Sequence, residues 1–339
     1  MAVDQQPPAS VVDANGEPRF GLYRGAPERV DLERLAGKYG RGALYRFAHR
    51  KRWRWAMVAT PRVLVAFAIA DLSYAANAFV LAADVDERKV LIDRGFLGLP
   101  RLSVAVGDRP ARDHSWFRGP GIEAVIRPAL AGSSIGVRVR TSGFDLAAEM
   151  DATAVPSVTL IAPVTDGGMV NVTQKASALP VTGEVRTPGR TYSLDGGLGG
   201  FDYTNGLLAR HTEWRWAFTT GRSDDGHTIG LNLVEGFNEA GAASENVLWV
   251  DGAILALGHA RFEFDRGSTL SPWRVTTRDG SVDLEFEPIG QHREERNLII
   301  ARSSFVQPFG TFHGTVRTPS GPLHVSALPG VVEDQRVTW

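Results

Sequence analysis

The chain contains no cysteine. Disulfide scaffolds, thiol nucleophiles and cysteine-ligated zinc or iron–sulfur sites are therefore excluded. Net charge is nearly absent too: 37 Lys and Arg stand against 38 Asp and Glu, leaving −1. Bulk electrostatics thus gives no reason to expect nucleic acid or an acidic surface as a partner. The local run His49-Arg50-Lys51-Arg52 flanks a hydrophobic strand and reads as a solvated loop. The start Met1-Ala2-Val3-Asp4-Gln5-Gln6 lacks the basic-then-apolar pattern of a secretory signal, so a cytoplasmic protein is the expectation. The histidines lack metal spacing: His211, His259 and His313 match no His-x-x-x-His or paired pattern, and neither metal nor cofactor is expected.

Helical periodicity is scarce as well. It is convincing over 27–39, where Val30, Leu32, Leu35, Ala36 and Tyr39 share a rough face, Pro27 suits the first turn and Gly40 a stop. A single long apolar run, 63–83, carries one formal charge, Asp71, and has bilayer length. Its counterpart in the second half, 228–251, is interrupted by Glu235, Asn238, Glu245 and Asn246. The run is therefore read as two buried strands, 63–70 and 78–83, with a turn between, and no integral membrane segment is expected.

What the chain does have is repetition. Trp-Arg-Trp-Ala occurs at 53–56 and again at 214–217, using four of the eight tryptophans. Gly183-Glu184-Val185-Arg186-Thr187-Pro188 returns as Gly314-Thr315-Val316-Arg317-Thr318-Pro319, and Phe144-Asp145-Leu146 is echoed by Val282-Asp283-Leu284. The spacing differs between pairs, so two related units have diverged by insertion and deletion. Elsewhere short alternating runs such as Gly136-Val137-Arg138-Val139-Arg140 and Val282-Asp283-Leu284-Glu285-Phe286 are separated by turns such as Asp251-Gly252 and Asp279-Gly280. Strands in this number favour closed barrels, which leave no edge when duplicated. The expectation is an all-β protein of two tandem antiparallel barrels with one short N-terminal helix: an extension at 1–45, a first barrel at 46–195 and a second at 196–339. Period two puts both tryptophans of each Trp-Arg-Trp on one face, taken as a barrel interior, and the arginine on the other.

Phe201-Asp202-Tyr203-Thr204-Asn205-Gly206, Thr212-Glu213-Trp214-Arg215-Trp216-Ala217, Leu231-Asn232-Leu233, Glu245-Asn246-Val247-Leu248-Trp249-Val250-Asp251-Gly252 and Gly330-Val331-Val332-Glu333-Asp334 together resemble the bacterial family called domain of unknown function 2804. The likeness runs over most of the chain. More distantly, the tandem units are similar to the AttH-like group, which includes hydroxyneurosporene synthase and kievitone hydratase. That resemblance implies two lipocalin-like barrels and chemistry on hydrophobic, isoprenoid-type molecules.

Alkene hydration or cyclisation needs a carboxylic acid kept protonated among apolar groups and aromatic faces for the cation. Asp202 with Tyr203 precedes the Trp214 and Trp216 strand, Glu245 with Asn246 precedes Val247-Leu248-Trp249, and Glu333 follows Gly330. Glu245, Asp202 and Glu333 are the candidate catalytic carboxylates. Asn246, Tyr203, Trp214, Trp216, Trp249 and His211 are candidate substrate-binding groups. Gly132-Ser133-Ser134-Ile135-Gly136 matches a nucleophile elbow but precedes a strand, so it reads as a turn. Gly196-Gly197-Leu198-Gly199-Gly200 reads as a flexible loop suited to a lid. Three functions are compatible: a hydratase, isomerase or cyclase on a hydrophobic small molecule, a carrier of such a ligand, and a glycan-active enzyme with paired carboxylates and Trp platforms.

Overall fold

Alternation of apolar and polar side chains becomes antiparallel strand throughout. Ser134–Thr141 and Phe144–Asp151, for instance, pair with Thr141 opposite Phe144. Their two-residue connection places Gly143 at φ +73°, where a side chain would be strained. The computed structural model describes residues 3–128, 133–238, 244–297 and 302–339; Gly132 of the elbow-like motif lies outside them, and Ser134 opens a strand.

The described strands form two sheets. In the first, Arg50–Ala59, Val63–Asp71, Ala76–Asp84 and Lys89–Gly98 lie side by side in chain order. A second series, Val104–Ala105, Ser115–Gly119, Ile122–Pro128, Ser134–Thr141, Phe144–Asp151 and Val170–Thr187, starts at the other end of the sheet, and Gly197–Leu207 joins the two by pairing with both Val170–Thr187 and Arg50–Ala59. The last strand thus returns to the first. The second sheet repeats this arrangement: His211–Arg222, Thr228–Glu235, Val247–Val250 and Ala253–Ala256 form one series, Ala260–Glu263, Trp273–Thr277, Val282–Asn297 and Arg302–Thr318 the other, and Gly321–Thr338 joins them by pairing with both Arg302–Thr318 and His211–Arg222. Each sheet curls into a lipocalin-like barrel.

All three sequence echoes fall on equivalent strands of the two rings. The glycines that open the second echo make the point physically. Gly183 has φ +128° and Gly314 φ +131°, and a Cβ on either would lie 2.3 Å from Ala147 O or 2.4 Å from Asp283 O respectively. The same close backbone approach has been kept in both halves.

Four expectations need correction. The 27–39 segment is two 3₁₀ turns, Leu32–Arg34 and Gly37–Tyr39, and the α-helix is Ala43–His49. Leu35 and Ala36 are extended and Gly37 has φ +55°, so the periodic residues dock on the first barrel without a helical path. Gly197–Leu207, assigned to the second barrel by a boundary at 195/196, closes the first sheet; the chain changes sheets at 208–210. For the same reason Gly196–Gly200 is no lid: Gly199 and Gly200 sit in a strand where a Cβ would be 2.8 Å from Met57 O or 2.4 Å from Ala176 O. Finally, Arg50, Lys51 and Arg52 begin a strand rather than forming a solvated loop, and Lys51 is buried.

Apolar side chains gather in the two barrel interiors and in a third cluster between the barrels. The third contains Trp55, Met57, Leu64, Ala66, Phe79 and Leu81 of the first sheet against Trp216, Phe218, Phe309 and Val331 of the second. Strands buried on both faces lose their alternation. That is why 63–83 looks like a span although it forms Val63–Asp71 and Ala76–Asp84; no helix among the described residues is long and apolar enough to cross a membrane.

Candidate functional site between the barrels

The tryptophans of both Trp-Arg-Trp copies face the junction between the barrels, not a barrel interior. Parity still holds: Trp55 joins the junction cluster while Ala56 belongs to the first interior, and Trp216 joins it while Ala217 belongs to the second. Across the junction Trp53 stacks on Trp214 at 5.9 Å, and Trp55 meets Trp216 edge-on at 4.9 Å. Such pairs add roughly 0.5–1.5 kcal/mol each beyond the area they bury.

Inside this aromatic frame the two halves place matching carboxylates. Asp202 stands opposite Trp55 on the neighbouring strand, and Glu333 stands opposite Trp216. In each half the first tryptophan donates its indole N–H to that acid: Trp53 Nε1 to Asp202 Oδ2 at 2.8 Å, Trp214 Nε1 to Glu333 Oε1 at 2.6 Å. The next strand supplies a second donor. Lys175, opposite Asp202, gives its ammonium to Oδ1 at 2.6 Å. In the register of Val306 with Asp334 and Phe309 with Val331, the residue opposite Glu333 is Gln307, whose amide donates to Oε2 at 2.6 Å. One carboxylate therefore has a cation and its counterpart has a neutral amide.

Glu245 enters from the Val247 strand. Its Oε1 accepts from Asn238 at 3.1 Å and its Oε2 lies 3.5 Å from Lys175 Nζ, long for a hydrogen bond. Asn232 binds the Glu245 carbonyl at 2.7 Å and accepts the Trp216 indole N–H at 2.7 Å, locking the ring in place. Lys175, Asp202, Glu245 and Glu333 are each at most 6% exposed, so the group is shielded from water.

Burial with one ammonium for three carboxyls sets the proton affinities. Burial raises the Glu333 carboxyl to about 7, outweighing the hydrogen bonds from Trp214 and Gln307, with Asp202 adding repulsion. Burial also raises Glu245, against the pull of Lys175. For Lys175 burial alone would lower the affinity, but Asp202 and Glu245 outweigh it and hold the ammonium charged. Glu333, at about 7, is placed to exchange a proton near neutrality.

Sequence reasoning brought Asp202, Glu245, Glu333, Trp214 and Trp216 to this place. It missed Lys175, Gln307, Asn232, Asn238, Trp53 and Trp55. Lys175 could have been noticed as a cation inside an eighteen-residue strand otherwise made largely of small and apolar residues. The other candidates lie elsewhere. Tyr203 points into the first barrel and donates to Gly107 O at 3.0 Å. Asn246 is used up by backbone, accepting from Val234 N and donating to Gly258 O. Trp249 packs onto the first barrel's core and donates to Pro156 O at 3.0 Å. His211 bonds Thr338 in a separate cleft of about 660 Å³ lined by Arg293, Arg296, Arg302 and Arg336. No metal-binding group of three acids or histidines occurs among the described residues.

A family described as a domain of unknown function (DUF2804) matches residues 2–339. The chain belongs to the DUF2804 family. Solved structures resemble this DUF2804 chain at low identity. A crystal structure of CghA with Sch210972 is 10% identical with a TM-score of 0.55, covering 98% of this chain and 97% of that one. Kievitone hydratase from Nectria haematococca is 12% identical with a TM-score of 0.51 over 84% and 88%. A putative AttH from Nitrosomonas europaea is 11% identical with a TM-score of 0.48 over 88% and 98%. The first two likenesses support the tandem lipocalin-like architecture. No curated protein matches the sequence.

Proposed function

We propose that the chain is an enzyme that protonates a hydrophobic small molecule at the junction of the barrels, as a hydratase, isomerase or cyclase, with Glu333 as the acid. The observation that carries this reading is the Glu333 carboxyl, held by two neutral donors and lifted to about 7. At neutral pH such a group is present in both forms, the condition for efficient general acid catalysis. In a hydration the Glu333 O–H would give its proton to one alkene carbon, the cation on the other carbon would lie among tryptophan faces, and water would add there while its surplus proton returns to the carboxylate. Asp202 and Glu245 serve to hold Lys175, which fixes the charge around the donor. The stacked, half-buried Trp53 and Trp214 form the roof past which an apolar substrate would pass.

Kievitone hydratase and the ligand-bound CghA structure share the fold, which supports an apolar substrate. Burial of all three carboxyls argues against the open groove a glycan needs. The test is native mass spectrometry of the purified chain to identify a co-purifying ligand, followed by its incubation in D₂O. Glu333→Gln is expected to slow deuterium incorporation by about 10²–10⁴-fold, and an unchanged rate overturns the assignment. A ligand retained by both proteins without deuterium uptake or product indicates a carrier instead.

A further inference from the structure

The inward faces of the two Trp-Arg-Trp strands differ in one respect that the junction does not use. Arg215 stands opposite Asp334, pairs with it at 3.5 Å and with Glu213, and Arg266 completes the cluster at 3.2 Å from Asp334. Its counterpart Arg54 stands opposite Tyr203. Arg54 is 2% exposed and forms no ion pair among the described residues. Nη1 donates to Pro110 O at 2.9 Å, Nε has no partner, and the guanidinium lies over the rings of Phe201 at 5.0 Å and Tyr203 at 5.4 Å. Burial lowers its affinity for the proton to about 10, which leaves it charged at neutral pH. Asp202 acts on it only from a distance, and burying a guanidinium without an ion pair is costly. The duplication supplies the control: the same position in the second half keeps its carboxylate.

Arg54 is the deepest of three arginines on one face of its strand. Arg50 and Arg52 sit above it at the barrel mouth, bound to Asp108 at 2.8 and 3.3 Å, and Arg52 also to Asp71 at 2.5 Å. Asp108 belongs to an irregular segment, 106–113, that lies across the mouth and seats two carbonyls inside it, Gly107 O on the Tyr203 hydroxyl and Pro110 O on Arg54. Against this segment is a cavity of about 580 Å³ whose lining joins Val104 and Val106 to the charged Arg52, Asp71, Arg112 and Asp113; Arg54 lies behind the Pro110 carbonyl and does not line it.

We propose that the mouth of the first barrel binds a long-chain monocarboxylate, its head on the unpaired Arg54 in place of the Pro110 carbonyl, its tail along Val104 and Val106, and segment 106–113 as the cover that moves aside. A planar guanidinium over aromatic rings suits a carboxylate in bidentate contact, and one unpaired cation suits one negative head. The cavity is ample for a ten-carbon chain, and displacing the Pro110 carbonyl is what would join it to Arg54.

Isothermal titration of the full chain with sodium decanoate, against decanol as the neutral control, tests this. Decanoate is expected to bind at least tenfold more tightly than decanol, and Arg54→Met to lose more than tenfold of that affinity. Should Arg54→Met fail to fold, Tyr203→Asp decides the matter, because it installs the aspartate that faces Arg215 in the other half. That variant should fold, with an unchanged circular dichroism spectrum, and lose decanoate by the same factor. Asp108→Asn, which loosens the cover, should tighten binding several-fold. Equal affinity for decanol and decanoate, no decanoate binding to the wild type, or retention of binding in folded Tyr203→Asp overturns the proposal.

Discussion

Positions 175 and 307 are the same place in the two halves, and the choice of lysine at one and glutamine at the other divides the labour of two matching acids. Lys175 ties Asp202 and reaches toward Glu245. Gln307 offers Glu333 a hydrogen bond but no charge, and its own carbonyl accepts the Trp55 indole N–H at 3.3 Å. Placing an ammonium beside a carboxyl favours the ionised form. Gln307→Lys is therefore expected to bring the Glu333 titration down from about 7 toward the ordinary carboxylate range. Carbon-13 NMR of the labelled glutamate carboxyls measures this directly and needs no substrate. A resonance that still titrates near 7 in the variant would show that burial alone, not the missing cation, holds the proton.

At the scale of elements, Gly197–Leu207 is the strand on which the first barrel and the junction depend. Gly200 lies on its junction face, where a Cβ would come 2.5 Å from the Phe218 ring of the second sheet and 2.4 Å from Ala176 O. Gly200→Ala forces the sheets apart there and is expected to cost roughly 1–3 kcal/mol, read as a lower midpoint in urea. A midpoint equal to the wild type's would mean the barrels slide freely over one another. The opening Gly-Gly-Leu-Gly-Gly of this region reads as a loop in the sequence because what its glycines accommodate, Ala59 O at Gly197, Met57 O at Gly199 and the Phe218 ring at Gly200, comes from strands distant along the chain. Much else was legible. The alternation in Ser134–Thr141 and Val282–Asn297, the doublet strands in 63–83 and the tandem barrels all follow from side-chain period and repetition. The parity of Trp-Arg-Trp was right as well, but both faces of those strands are buried, so pattern could not say which face was the interior. The acids Asp202, Glu245 and Glu333 stood out as carboxylates next to apolar stretches. Lys175 and Gln307 did not, since their tie to those acids is a matter of which strand lies beside which. Tyr203 and Asn246 were drawn in by nearness along the chain, whereas period two sends neighbours to opposite faces; Trp249 shares the parity of Glu245, but that acid lies outside the strand Val247–Val250.

At the scale of the molecule, a second polar contact ties the barrels together. His292 of the second sheet is 4% exposed, bonds Asp93 of the first at 2.5 Å, lies 3.4 Å from Glu294 and stacks on Phe79 at 4.5 Å. Burial alone would lower its proton affinity, but Asp93 and Glu294 outweigh it and raise it to about 9. In the unfolded chain a histidine titrates near 6.5. A raised group of this kind contributes its full stabilisation below about 6.5, and the contribution is lost as pH rises through about 9. Thermal unfolding followed from pH 6 to 10 should show that decline, and His292→Gln should flatten this part of the profile; an identical profile in the variant would remove His292 as its source. The ring topology has its own bearing on how such a molecule is made. Each barrel closes with the strand synthesised last in its half, Gly197–Leu207 and then Gly321–Thr338, and each closing strand carries that half's acid, Asp202 or Glu333. Until Gly321–Thr338 has been made the second sheet is open and lacks Glu333, so the group proposed to donate the proton arrives in the same stretch of polypeptide that seals the fold.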